Sequence, residues 1–120
     1  MDSNKKKICI FTARFLPSVG GVENYCYNLA KTLSKSGNRC IIVTCNTHGL
    51  PPREDTEYAT IFRLKSLNFL NGRYPITLAT KENKSIWLQL LKSALDFVVI
   101  NTRFYPLSLQ ALSFSKRLNI

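Results

Sequence analysis

Apolar residues fall into two rhythms along this chain. Ile8-Cys9-Ile10-Phe11, Cys40-Ile41-Ile42-Val43 and Phe97-Val98-Val99-Ile100 are continuous runs, as expected of strands buried on both faces of a parallel sheet. Val22, Tyr25, Cys26, Leu29 and Leu33 instead recur at intervals of three and four. So do Trp87, Leu90, Leu91, Ala94 and Leu95, and again Leu107, Ala111, Phe114 and Leu118. Each of these sets lines one side of a helix. The spacing predicts strands over about Lys6–Thr12, Arg39–Cys45 and Asp96–Asn101, and helices over about Val22–Ser36, Lys84–Leu95 and from Pro106 onward. Gly37 is a natural C-cap for the first helix, with Lys35 in its last turn, and proline suits the first position of the third. Glu57–Leu67 alternates and predicts another strand, with Tyr58, Phe62 and Leu64 on one face and Arg63 and Lys65 pointing outward. Ile61 falls on the outward face and breaks that pattern.

Strand, helix and strand within about 40 residues, joined by a short turn, make a βαβ unit with parallel strands. The whole alternation predicts an α/β, Rossmann-like doubly wound parallel sheet of about four strands in the order 3-2-1-4. Asn46–Thr56, with Gly49, Pro51, Pro52 and three charges, reads as a loop. Leu67–Thr80 holds Asn71-Gly72 and Pro75; it opens into a turn, or forms a hairpin that adds an edge strand.

The junction between the first strand and the first helix carries the candidate chemistry. Its loop, Ala13 to Gly21, runs nine residues, where such connections usually need about 2–6. Long loops at this end of a first strand line ligand sites. Gly20 and Gly21 let backbone N–H groups approach a ligand that a Cβ would hold off, and the helix start behind them favours an anion such as phosphate. The alternative is that the two glycines only turn the chain. There is no G-x-G-x-x-G, no acidic residue after the second strand (Thr44-Cys45-Asn46-Thr47) and no G-x-x-x-x-G-K-[ST], which disfavours a Rossmann dehydrogenase or a P-loop ATPase.

Lys7-Ile8-Cys9-Ile10-Phe11-Thr12, then Phe15-Leu16-Pro17-Ser18-Val19-Gly20-Gly21-Val22-Glu23, then Asn28-Leu29-Ala30 and Leu33-x-x-x-Gly37, resembles the amino-terminal start of the retaining, family 4 glycosyltransferases of the GT-B superfamily. Asn38 stands where the family pattern has histidine. The resemblance implies that residues 1–120 form an amino-terminal, acceptor-side domain, a partial GT-B architecture, with a carboxy-terminal donor domain outside the chain. It implies transfer of a sugar from a nucleotide-sugar to a glycan, lipid-linked sugar or small-molecule acceptor. The nucleotide-sugar enters as substrate, and no cofactor or metal is expected. Gly20 and Gly21 would face the donor diphosphate, Arg14 joins them in the loop, and Glu23 lies beside the site, although in the first helical turn it also suits the dipole. Tyr74 falls in a region that faces the acceptor. No acid pair, triad or metal cluster occurs, so no catalytic residue is assigned and the chain alone is expected not to turn over.

Two further residues are candidates by location. Asn101 and Arg103 follow the last strand, at the end of an open sheet where ligands gather; Arg103 suits a phosphate or carboxylate, or is a surface cation. His48, the single histidine, can serve as acid or base near neutral pH, or is simply exposed on its polar loop.

Composition narrows the rest. Hydrophobic residues make up 45%, ordinary for one globular domain. Seventeen Lys and Arg against seven Asp and Glu give +10, which favours an anionic partner: nucleotide-sugar phosphates, an anionic membrane face touched peripherally, or nucleic acid. Nucleic acid ranks last, because no recognition motif accompanies the charge. A non-catalytic module binding nucleotide or phosphate is the alternative to an enzyme. The four cysteines lack C-x-x-C spacing and read as buried free thiols rather than a metal site. No run reaches the ~18 apolar residues of a membrane span, and the apolar stretch behind Met1–Lys7 is too short for a signal peptide. A cytoplasmic location follows, with possible contact at the inner membrane face. In that setting the sequon Asn83-Lys84-Ser85 is silent.

Overall fold

β1 (Lys7–Thr12) sits inside the sheet with strands on both sides, which is where its unbroken apolar run belongs. A computed structural model describes residues 6–12, 15, 21–47, 49–68, 74–101 and 106–118. After β1 come α1 (Gly21–Lys35), β2 (Arg39–Cys45), β3 (Arg53–Asp55), β4 (Thr60–Leu64), β5 (Ser66–Asn68), β6 (Tyr74–Thr77), α2 (Lys81–Leu91), β7 (Phe97–Asn101) and α3 (Pro106–Leu118). The main sheet has the order β3-β4-β2-β1-β7, and β5 and β6 form a separate antiparallel pair. β1 pairs in parallel with β2 and β7, and β2 with β4. The expected order 3-2-1-4 is therefore present, as β4-β2-β1-β7.

Three expectations change. The segment read as a loop before Thr56 contains β3, an antiparallel edge strand. The pairing across the Asn71-Gly72 region does occur, but as a hairpin of its own and not as an edge of the main sheet. The second helix starts and stops earlier than its apolar stripe: Thr80 caps it by accepting from the Asn83 N–H at 3.1 Å, and it ends at Leu91.

Sidedness follows from the alternation of Cβ directions. Ile8 and Ile10 of β1, Cys40 and Ile42 of β2 and Ile61 of β4 pack with Cys26 and Ala30 of α1. Cys9, Phe11, Val43, Cys45, Phe62 and Leu64 face the other way, onto Ile86 and Leu90 of α2 and Leu107, Ala111 and Phe114 of α3. Phe11 stacks on Trp87 at 5.6 Å and meets Phe114 edge-on at 5.8 Å. Tyr58, expected beside Phe62 and Leu64, packs on the α1 side, edge-on to Tyr27 at 5.0 Å. Arg63, expected to point to solvent, is 5% exposed. Its guanidinium pairs with Glu54 at 2.7 Å and donates to the Pro51 carbonyl at 3.0 Å. β3 and the residues before it supply both partners, so the unforeseen edge strand is what buries the arginine.

Turn chemistry fixes the ends. Gly37 has φ 90°, and the Asn38 and Gly37 N–H groups donate to the Leu33 and Ser34 carbonyls at 3.1 and 3.0 Å, the paired bonds of a Schellman cap. Asn38, which departs from the family pattern, accepts from the Lys6 N–H and donates to Leu33, tying this turn to the start of β1. Asn83 is 2% exposed and fully used. It accepts from the Lys65 N–H at 2.8 Å and donates to the Lys65 and Leu78 carbonyls at 2.9 and 2.7 Å. The sequon asparagine thus clamps the end of β4 to the first turn of α2, which the sequence pattern did not show.

Two outcomes follow from these contacts. A Cβ at Gly37 meets nothing within 4 Å, so Gly37→Ala costs only backbone strain, about 1–2 kcal/mol by urea unfolding. Asn83→Ala removes the side-chain acceptor of the Lys65 N–H and costs about 1–3 kcal/mol in the same measurement.

Cys9, Cys26, Cys40 and Cys45 are free and buried, and desolvation raises the Cys9 and Cys40 thiols and pushes Cys45 up to about 12. All four resist iodoacetamide at pH 8 in the native chain and react fully in urea. An unfolded chain ionises its thiols at about 8.5, whereas the fold favours the protonated form of Cys9, Cys40 and Cys45. This contribution is therefore intact below about pH 8 and is lost as pH climbs toward 12, so the urea midpoint is lower at pH 10 than at pH 7.

Candidate functional site

Parallel strands place all their carboxyl ends on one edge, and here that edge contains a switch in winding. β1 leads to α1, which covers one face of the sheet, while β7 leads to α3, which covers the opposite face. Chains leaving adjacent strands for opposite faces leave a crevice between them, and in open α/β sheets ligands occupy it. The two strands end level, Thr12 beside Asn101.

α1 opens at Gly21, so the first N–H groups of a 15-residue helix follow directly from the long loop after β1. Those groups lack partners within the helix, and its dipole is positive at that end. Phe15, from the middle of the same loop, is 2% exposed and packs with Ile8, Ile10, Cys26 and Ala30. Its ring thus packs beneath α1, and nothing in the sequence set it apart for that role from its apolar neighbours Leu16 and Val19.

The α1 face becomes polar at this edge. Beyond Ile10 and Ile42, the next residues facing α1 are Thr12 and Thr44, 1% and 2% exposed, and Thr44 sits in register with Arg63. Among the described residues, Thr44 Oγ1 is buried without a hydrogen-bond partner. A buried hydroxyl without a partner costs free energy, and it lies where the apolar interior gives way to the carboxyl edge of the sheet. Threonine is a common strand residue, so no sequence signal separated Thr44 from its neighbours.

Gly21, Glu23 and Asn101 are placed by their backbones: the first two in the opening turn of α1, the third at the end of β7. α1 and β7 thus bring these three to the same edge. Tyr74 begins β6, in the hairpin that continues from the carboxyl end of β4. Leu78 N–H to Lys65 carbonyl, 2.9 Å, closes the base of that hairpin, and Thr77 Oγ1 donates to Gln110 Oε1 of α3 at 2.6 Å. The roles assigned to the Glu23, Asn101 and Tyr74 side chains, and to Arg14, Gly20, His48 and Arg103, lie outside the described residues. The loop carrying His48 is closed by Asn46, which accepts from the Leu50 N–H at 3.0 Å and donates to the Leu50 carbonyl at 2.6 Å. Among the described residues no group of three or more His, Cys, Asp or Glu could hold a metal, and no helix is long and apolar enough to cross a membrane.

Residues 19–120 match the model of the family described as Glycosyltransferase Family 4. No curated protein matches the chain. The match spans α1 through α3, and so both helices that leave the β1–β7 crevice. With its parallel-dominated sheet and helices on both faces, the chain belongs to glycosyltransferase family 4, as an amino-terminal domain of the GT-B kind.

Proposed function

We propose that this domain forms one wall of the transfer site of a retaining glycosyltransferase, which moves a sugar from a nucleotide-sugar to a glycan or lipid-linked acceptor. The observation that carries the reading is the start of α1 at Gly21, the helix that follows the interior strand β1, whose carboxyl end is level with that of β7. Amide hydrogens there suit the donor diphosphate, whose charge grows as the sugar departs. Gly20 and Gly21 keep that approach open, with Arg14 adding a positive charge. The acceptor lies across the same edge, toward Asn101, Arg103, His48 and the hairpin that begins with Tyr74. In this reading the domain mainly orients the two substrates and excludes misaligned encounters. Donor-side groups belong to a second domain, so residues 1–120 bind without turning over. The excess of 17 Lys and Arg over 7 Asp and Glu favours phosphate-bearing substrates and transient contact with an anionic membrane face on the cytoplasmic side.

Titration with UDP and GDP, followed through backbone amide resonances, tests the reading. The largest shifts are expected at Gly20, Gly21 and the opening turn of α1. Gly21→Val weakens binding about tenfold or more, because its side chain fills the approach to the amides. Shifts confined to other surfaces, or affinity unchanged in Gly21→Val, would overturn the proposal. Saturable binding that persists without sugar transfer after a donor domain is supplied would favour the non-catalytic module.

A further inference from the structure

The opposite, amino-terminal edge of the sheet carries a second concavity that the transfer site does not use. A hollow of about 320 Å³ lies between the last turn of α2 and the amino-terminal halves of β1, β2 and β4, with β3 at its side. Ile41 and Phe62 contribute apolar lining, and Lys7, Arg39, Arg53 and Lys92 contribute four cations. None of the residues lining it is acidic. Like charges converging on one concavity repel each other, a cost that an anion bound among them removes.

Two of the cations are held in place. Lys7 Nζ donates to the Ser93 carbonyl at 2.7 Å, and the Arg53 guanidinium lies over the Phe62 ring, 5.6 Å from its centroid. The opposing charges nearby are few. Asp55 approaches Arg53 at 3.5 Å, with both side chains largely exposed, so solvent weakens the pair. Asp96 is engaged by the Lys7 backbone N–H at 2.9 Å. The carboxyl end of α2 adds a partial negative charge, and the Ser93 carbonyl there already accepts from Lys7. Gln89 and Ser93 add neutral polar groups to the lining. A neighbouring hollow of about 370 Å³ shares Arg39, Cys40 and Thr60 and brings Glu57 to its far side, so the positive charge is concentrated at the α2 side.

We propose that this hollow is a binding site for a compact, multiply charged phosphate anion, separate from the β1–β7 crevice. Its size is at the low end for small-molecule sites, about 300–1,000 Å³, which suits pyrophosphate or a small organic phosphate better than a polymer. Lys7, Arg39, Arg53 and Lys92 surround the anion, and charge-assisted hydrogen bonds hold it.

Inorganic pyrophosphate, titrated by calorimetry and by amide resonances against the 120-residue chain, provides the test. Saturable binding is expected, with shifts around Arg39, Arg53 and Lys92 and with affinity falling as sodium chloride rises. R53Q/K92Q alters two exposed side chains, and circular dichroism verifies its fold. It should weaken this binding at least tenfold, on the order of one lost charge-assisted contact. A control, K116Q/R117Q on α3, removes the same net charge elsewhere and leaves the affinity unchanged. Gly21→Val, which tests the other edge, leaves the concentration dependence of the shifts around Arg39, Arg53 and Lys92 unchanged, so the two readings fail independently. Absence of saturable binding, equal weakening in the α3 control, or indifference to R53Q/K92Q would each overturn the proposal.

Discussion

The fold depends on burying one short strand completely. β1 is flanked by β2 and β7 and covered by α1 on one face and by α2 and α3 on the other. Ile8, Cys9, Ile10 and Phe11 are each 7% exposed or less. Removing large apolar side chains from water contributes about 1.5–3 kcal/mol each, and such a strand must also satisfy its backbone on both edges. Parallel pairing to β2 and β7 does this, and it obliges the intervening chain to return over the sheet as helices. The helical connections, their faces and the shared carboxyl edge all follow from that obligation.

The same obligation makes the two edges of the sheet chemically different. At the carboxyl edge the α1 face passes from Ile10 and Ile42 to Thr12, Thr44 and the buried, paired Arg63, and α1 begins after β1 with N–H groups that have no partner within the helix. At the amino edge the helices arrive with their carboxyl ends, and side chains must supply any positive charge. Lys7, Arg39, Arg53 and Lys92 do so. The first arrangement is backbone in origin, while the second rests on the side chains of four separate residues.

Local clamps set how firmly the frame is held. The Schellman cap at Gly37, the Asn38 tie to Lys6 and the Asp96 bonds with Lys7 hold the amino edge of β1 to its neighbours. Asn83 performs the corresponding task where β4 hands over to the hairpin and α2. These clamps are hydrogen bonds to backbone groups at the ends of strands, and those of Asn83 are partly shielded from water, where losing a partner costs most.

Much of this was determined by sequence alone. Continuous apolar runs marked β1, β2 and β7 as buried strands, the 3.6-residue rhythm marked the three helices, and Gly37 ended the first of them. These signals are local, because burial on both faces and helical periodicity are written in consecutive residues. What tertiary structure decided were pairings between distant segments. Arg63 looked like an outward-facing cation until β3 folded alongside it, and Arg53-Glu54-Asp55 carries no strand signal of its own. Asn83 read as a surface sequon until Lys65 and Leu78 were brought to it. Phe15 and Thr44 acquired their places only when α1 closed over the sheet. Partners of this kind lie up to tens of residues away, and chain folding, not neighbouring sequence, brings them within hydrogen-bonding or packing distance.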